Sequence, residues 1–493
     1  MKKWLSVLLA AVMLLAMAGI AGAVDTPMGT IAVTGLKNGE TVQIYKVIEL
    51  KLSAEATFDE PAWVTGLQVW IDQNYPNYGK PTDLPANGDG KFLNELSGQL
   101  TGMTATVSKT MITDGDFNTS ELPVGSYVVL VMGGENAHEA YLTSINPESY
   151  DYDKKIWNVK NGAVDASKKV KVPEVKKEIS QTTATVGDKV MFDIYTDVPT
   201  YPANVYNSVV YKIEDIMDEA LTFNKDMKVY GVNGENEQEL TLGTKEDGKD
   251  YSAVYPEAEG NKHKIFELNF NYGRIKDYQK IHVQYTATVN EKIKLNSDEN
   301  DNEVKFTYDV TTKTDKKKLH SFGIDLTKYE KGSGEILLQG AEFELSKFDE
   351  MNGYKKLSFK KVTQNGSDYY VPDEKGTDKL ITDKDGKILI NGLDVGKYKL
   401  KETKAPTGYN LMTNEPEITL AQASTKMWLS NTNNKDQSNS AYWYQPVEDS
   451  KISILPSTGG MGTTIFMVAG IGVMACAVAA LMLVLKRQKK NEG

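Results

Sequence analysis

Two sets of residues in this 493-residue chain place an amine, an acid and an amide where strand parity points them into one interior. Successive side chains on a strand face opposite sides. In Ile324-Asp325-Leu326-Thr327-Lys328, Lys328 therefore shares a face with Ile324 and Leu326. In Tyr398-Lys399-Leu400-Lys401-Glu402, Glu402 joins Tyr398 and Leu400, while Lys397, Lys399 and Lys401 take the other side. Met427, Leu429 and Asn431 align in the same way, and the spacing predicts that they form the last strand. A buried carboxylate is costly unless it is paired or protonated, and burial shifts a lysine toward its neutral amine. A neutral amine is a nucleophile, and a protonated acid can polarise an amide carbonyl.

The second set obeys the same parity. Val175, Lys177 and Ile179 share one face; Val209, Tyr211, Ile213 and Asp215 share another; Asn302, Val304, Phe306 and Tyr308 share a third. Lys177, Asp215 and Asn302 are the candidates, with Lys176 and Asn300 as rivals that parity disfavours.

The elements that must position these residues read as strands. Thr30-Ile31-Ala32-Val33, Ser126 to Val131, Lys189 to Ile194 and Lys387 to Ile390 are short, β-branched or aromatic runs bounded by Gly, Asn or Asp turns. Their spacing predicts an all-β chain of three tandem immunoglobulin-like β-sandwiches. Between Glu60 and Leu100, Trp63, Leu67, Trp70 and Ile71 recur at helical spacing, which predicts a helical insertion in the first domain. Two polar stretches, Lys168 to Pro173 and Thr311 to His320, mark boundaries. The expected domains are 24–170, 171–315 and 320–436, followed by a polar tether over 437–454.

Both ends carry targeting signals. Lys2 and Lys3, an apolar run from Trp4 to Ile20, and Ala21-Gly22-Ala23 predict a signal peptide over 1–23. Ile465 to Leu485 is apolar and just long enough to span a bilayer, and the basic residues Lys486, Arg487, Lys489 and Lys490 in the tail 486–493 keep that end cytoplasmic. The mature domains are thus expected outside the cell. The sole cysteine, Cys476, lies in the span, so no disulfide is expected in the exterior domains. Net charge is -11 with mixed signs, which argues against nucleic acid as a partner.

The start at Ile324 to Lys328, the run Gly340-Ala341-Glu342-Phe343-Glu344-Leu345 and the segment Tyr398 to Tyr409 resemble the B-type repeat of collagen-binding adhesins. Val186-Gly187-Asp188-Lys189-Val190 and Ile213 to Phe223 resemble the middle domain of Gram-positive backbone pilins, in which the assisting acid is an aspartate. The resemblance implies two intramolecular isopeptide bonds formed without an enzyme: Lys328 with Asn431, assisted by Glu402, and Lys177 with Asn302, assisted by Asp215. In the first domain Lys46 is a possible nucleophile. Leu122-Pro123-Val124-Gly125-Ser126-Tyr127 brings no acid at the offset of Glu402, so that domain is expected to lack a cross-link.

Leu455-Pro456-Ser457-Thr458-Gly459 stands before the apolar span and basic tail, the arrangement of a sortase sorting signal. In the reaction implied by that resemblance, the sortase cuts between Thr458 and Gly459 and passes Thr458 to an amine, either a lysine of the next pilin subunit or the peptidoglycan of the cell wall. No Tyr-Pro-Lys occurs where backbone pilins present that lysine. Lys168 is the best counterpart, with Lys160, Lys169 and Lys171 as alternatives.

The four histidines His138, His263, His282 and His320 are scattered without metal spacing, and no catalytic serine elbow or phosphate loop is seen. The acidic run Asp298 to Asn302 lacks the spacing of a calcium loop. The expectation is a cofactor-free structural subunit of a surface pilus, a host ligand being an open possibility, with a monomeric wall-anchored adhesin as the alternative.

Overall fold

The computed structural model describes residues 26–490 apart from 53–57, 86–87, 152, 169, 258–259, 296, 298, 334, 365, 424–425, 430–440 and 453–461. The signal-peptide region and the motif Leu455 to Gly459 lie outside the described residues. The chain divides into two compact units, one ending at Ser321 and one beginning at Phe322.

The first unit holds two sandwiches. Its N-terminal sandwich is built from β1 (Ile31–Leu36), β2 (Thr41–Glu49), helix α1 (Gly90–Ser97), β3 (Gly125–Met132), β4 (Tyr141–Asp151) and β5 (Gly162–Asp165). β3 lies between β2 and β4, antiparallel to both, while β1 and β5 run parallel with Gly162 opposite Ile31. β3 reads as an unbroken apolar run because both its faces are covered. Tyr127, Val129 and Val131 pack with Ile31 and Val33, and Val128 and Leu130 pack with Phe92, Leu93 and Leu96 of the insertion. Asp89 caps α1 by accepting a hydrogen bond from the Phe92 amide. The predicted helical insertion resolves into α1 and a shorter helix, Gln68–Asn74, whereas Trp63 sits in a two-residue strand.

The middle sandwich comprises β6 (Val175–Ile179), β7 (Lys189–Asp197), β8 (Tyr211–Asp218), β9 (Lys262–Phe270), β10 (Lys280–Val289), β11 (Asp301–Tyr308) and β12 (Thr311–Lys318). One sheet runs β6, β7, β10 and the other runs β9, β8, β11, β12. Phe192, Ile194, Tyr285, Ile213, Phe266 and Phe306 fill the space between them. The chain does divide just after the run Thr311 to His320, at Ser321, but the run itself is a strand and not a connector. That run forms β12 at a sheet edge, and its residues alternate between half-buried and exposed, so polar Thr and Lys satisfy a strand that has no apolar face to offer.

The second unit comprises β13 (Phe322–Glu330), β14 (Glu342–Asp349), β15 (Lys387–Leu393), β16 (Gly396–Lys404), β17 (Glu417–Leu420) and β18 (Tyr442–Asp449). β13 lies between β15 and β18, and the opposing sheet contains β14, β16 and β17. The core is Phe322, Ile324, Leu326, Phe343, Leu345, Tyr398 and Leu400. β18 corrects two expectations. Residues 442–449 are a strand and not part of a tether, and the strand beside β13 is β18, paired in parallel from Gly323 with Tyr442 to Glu330 with Asp449. Lys426–Leu429 pairs instead with Gln422–Ala423 in a separate two-stranded sheet. Pro446 hides β18 from a strand reading, but β18 is an edge strand, where a missing donor is tolerated.

The N-terminal sandwich and the second unit share a turn, Leu122-Pro123-Val124-Gly125-Ser126-Tyr127 and Leu393-Asp394-Val395-Gly396-Lys397-Tyr398. Gly125 and Gly396 both take φ 142°, which favours glycine, and the two tyrosine hydroxyls donate to the carbonyls of Pro123 and Asp394. At the position that Glu402 occupies after Tyr398, the first sandwich has Val131, which is buried. An apolar helix, α2 (Gly462–Lys490), closes the described chain, and its stretch Phe466–Arg487 is long and apolar enough to cross a membrane.

Ending the ectodomain at residue 436 removes β18 and exposes the length of β13. The truncated chain is expected to lose protease resistance in residues 322–436, whereas a chain ending at 452 keeps it; equal protection in limited proteolysis would contradict this fold.

Candidate cross-linking sites

The middle site is assembled from both sheets. β6 brings Lys177 and β10 brings Tyr285 from one sheet; β8 brings Asp215 and β11 brings Asn302 from the other. Lys177 is wholly buried, as are Asp215 and Asn302. Nζ of Lys177 donates to Oδ2 of Asp215, to Oδ1 of Asn302 at 2.9 Å and to the Tyr285 hydroxyl at 3.0 Å. Nδ2 of Asn302 donates to the same hydroxyl at 2.7 Å.

The walls are aromatic. Nζ lies 5.3 Å from the centre of Phe192 and 5.6 Å from that of Tyr285. Burial pushes Lys177 below the ordinary lysine value, against the attraction of Asp215, and pushes the Asp215 carboxyl above its ordinary value, against the attraction of Lys177. Both shifts favour the neutral amine and the protonated acid. The rivals are elsewhere: Lys176 is exposed beside Glu178, and the Asn300 amide is held by the Lys294 backbone at 3.0 and 2.6 Å. Tyr285 was not singled out from the sequence. Its signal was a hydroxyl among the inward residues Ile281, Val283 and Ala287, where an aromatic ordinarily only packs.

In the second unit Lys328 on β13 meets two acids. Its Nζ lies 3.0 Å from Oε1 of Glu402 on β16 and 2.5 Å from Oδ1 of Asp449 on β18, all three side chains being buried. Oε2 of Glu402 accepts a hydrogen bond from the Met412 amide at 2.7 Å. Burial raises the Glu402 carboxyl above its ordinary value, helped by the nearby Asp449, while the Met412 amide and Lys328 oppose it. Asn431 lies outside the described residues, and the residue placed against Lys328 on the neighbouring strand is Asp449. Parity held the clue, since Val447 and Asp449 share a face, but Pro446 and the polar run around it masked the strand.

Lys46 on β2 is half-buried and pushed down by burial; it stands opposite Tyr127, whereas Val131 lies further along β3 opposite Val42. Lys168 is exposed just after β5 and reaches Asp165 at 3.2 Å. Lys169 lies outside the described residues. Among the described residues no group of histidine, cysteine or acid could hold a metal.

Residues 322–435 match the SpaA family, a prealbumin-like fold domain. The trypsin-resistant surface T6 protein of Streptococcus pyogenes serotype M6 is 27% identical over 248 residues, which span 49% of this chain and 43% of that protein. The match thus covers less than half of that relative. Among solved structures, the T6 backbone pilin of the same serotype, described as modular and three-domain, superposes with a TM-score of 0.51 at 18% identity, over 87% of this chain and 99% of that one. The major pilin SpaD of Corynebacterium diphtheriae gives a TM-score of 0.49 at 20% identity, over 87% and 99%. Residues 322–435 thus match the SpaA domain family, and the chain as a whole shares the fold of the three-domain T6 backbone pilin.

Breaking a buried ion pair by removing one partner costs about 3–5 kcal/mol. Asp449→Ala is accordingly expected to lower the melting temperature of the second unit markedly, and Asn431→Ala to leave it unchanged. Calorimetry on both variants checks this, and the reverse ranking would restore Asn431 as the partner of Lys328.

Proposed function

We propose that the chain is the shaft subunit of a covalently polymerised surface pilus, a structural protein and not an enzyme, whose sandwiches are closed by intramolecular isopeptide bonds. The observation that carries this is the pair of fully buried lysines, each held against an acid and an acyl acceptor on a different strand. Solvated lysines need no such setting, and burying three polar groups together costs stability unless the arrangement serves another end.

In the middle sandwich, Nζ of Lys177 attacks Cγ of Asn302, and ammonia leaves. Proton transfer from Lys177 to Asp215 supplies the neutral amine and the protonated acid together. In the second unit the acceptor is Asp449: Nζ of Lys328 attacks its Cγ, and water leaves with a proton supplied by Glu402. This replaces the Lys328 to Asn431 bond expected from the sequence. The fold holds the reacting groups in contact, so no catalyst beyond proximity and these acids is required. By analogy with a disulfide closing a loop of about 100 residues, each bond stabilises the fold by about 4.7 kcal/mol.

The ends supply the joints. A sortase cleaves between Thr458 and Gly459 of Leu455-Pro456-Ser457-Thr458-Gly459 and transfers Thr458 to Lys168 of a neighbouring copy, or to peptidoglycan at the base. The exposure of Lys168 suits that role. The apolar helix α2 holds the precursor in the membrane until cleavage. Since Asp449 lies just upstream of the sorting motif and Lys328 lies near the start of the unit, tension entering at Thr458 crosses the bond and bypasses the sheet between them.

Wall extracts of cells making this chain are expected to give a ladder of high-mass species on a denaturing gel, and Lys168→Arg to collapse the ladder to one band. A single band from the unaltered chain would mean a monomeric wall-anchored protein; a ladder that survives Lys168→Arg would move the joint to another lysine.

A further inference from the structure

We infer that Tyr285 is a catalytic residue of the middle cross-link, its hydroxyl carrying the proton from the attacking amine to the departing one. This rests on the reading of Lys177 and Asn302 as a bond-forming pair.

The geometry suits that task. When an amine displaces an amide nitrogen, the attacking nitrogen must lose a proton and the leaving nitrogen must gain one, or the intermediate returns to reactants. Asp215 contacts Nζ of Lys177 and also interacts with the Asn302 and Tyr285 side chains. The Tyr285 oxygen contacts both nitrogens, at 3.0 Å and 2.7 Å. Tyr285 is itself buried, and burial together with Asp215 holds its hydroxyl protonated. Its ring is fixed by stacking on Phe192 at 5.5 Å and by edge contacts to Phe223 and Phe266 at 5.6 and 5.3 Å.

The step balances. After Nζ has bonded to Cγ, the Tyr285 oxygen accepts one proton from Nζ while its own proton passes to Nδ2. The Cγ–Nδ2 bond breaks, ammonia leaves, and Tyr285 is regenerated. The second unit offers a contrast: where the acceptor is Asp449, the leaving group is water, and the groups within reach of Nζ are the two carboxyls with no described hydroxyl between them. A hydroxyl relay stands where an amide nitrogen must leave.

The test is a time course on the full chain made by cell-free synthesis, quenched in acidic urea and digested, with the branched Lys177–Asn302 peptide quantified by mass spectrometry. Tyr285→Phe keeps the ring and is expected to slow bond formation about 100-fold, within the range of general acid–base catalysis. The parent should also slow in heavy water, and the variant should lose most of that sensitivity. An unchanged rate in Tyr285→Phe overturns the relay. So does a slowed variant with the isotope sensitivity of the parent, because the hydroxyl would then only shape the site. If the parent itself forms no branched peptide, the cross-link reading falls and takes the relay with it.

Discussion

The contact between Lys177 and Asp215 is the interaction on which the middle sandwich turns. A lysine and an aspartate with no exposed side-chain surface ordinarily weaken a core, because the desolvation of two charges exceeds what their attraction returns. On the proposed reading that cost has a use. The same desolvation that makes the ion pair unfavourable lowers Lys177 and raises Asp215, and so favours the neutral amine beside an amide carbonyl in an aromatic pocket. Covalent closure would remove the charge problem permanently, which is the use proposed for the site.

The two sites solve one problem with different parts. Lys177 and Asn302 come from facing sheets, with the acid beside the proposed acceptor on neighbouring strands of one sheet. Lys328 and Asp449 stand on adjacent parallel strands of one sheet, and Glu402 reaches them from across the core. The first sandwich repeats the topology of the second unit, with its first and last strands parallel and the same glycine-tyrosine turn. Val131 fills the acid position there, and its core is closed from the other side by the helical insertion. Helical packing thus stabilises the one sandwich that has no candidate triad.

Much of this was legible from strand parity. Lys177, Asp215, Asn302, Lys328 and Glu402 each stand one or two alternations from apolar residues, and a charged residue in such register is conspicuous. What parity could not reach were elements whose sequence hides the strand. β12 is made of Thr, Lys and Asp because it needs only half-burial at an edge, and β18 contains Pro446, which an edge strand tolerates. Missing β18 hid Asp449. Tyr285 was passed over for another reason: an inward tyrosine in an apolar strand ordinarily packs, and only the fold brings its hydroxyl between two nitrogens. The helical insertion was visible, but its breaks fall at short 3-10 turns that open on Pro76 and Pro81.

The intact mass of the mature ectodomain tests covalent closure most directly. The mass should fall short of that computed from the sequence by one ammonia and one water, the ammonia restored by Asn302→Ala and the water by Asp449→Ala once each substitution is counted. A mass equal to that of the sequence would contradict both bonds.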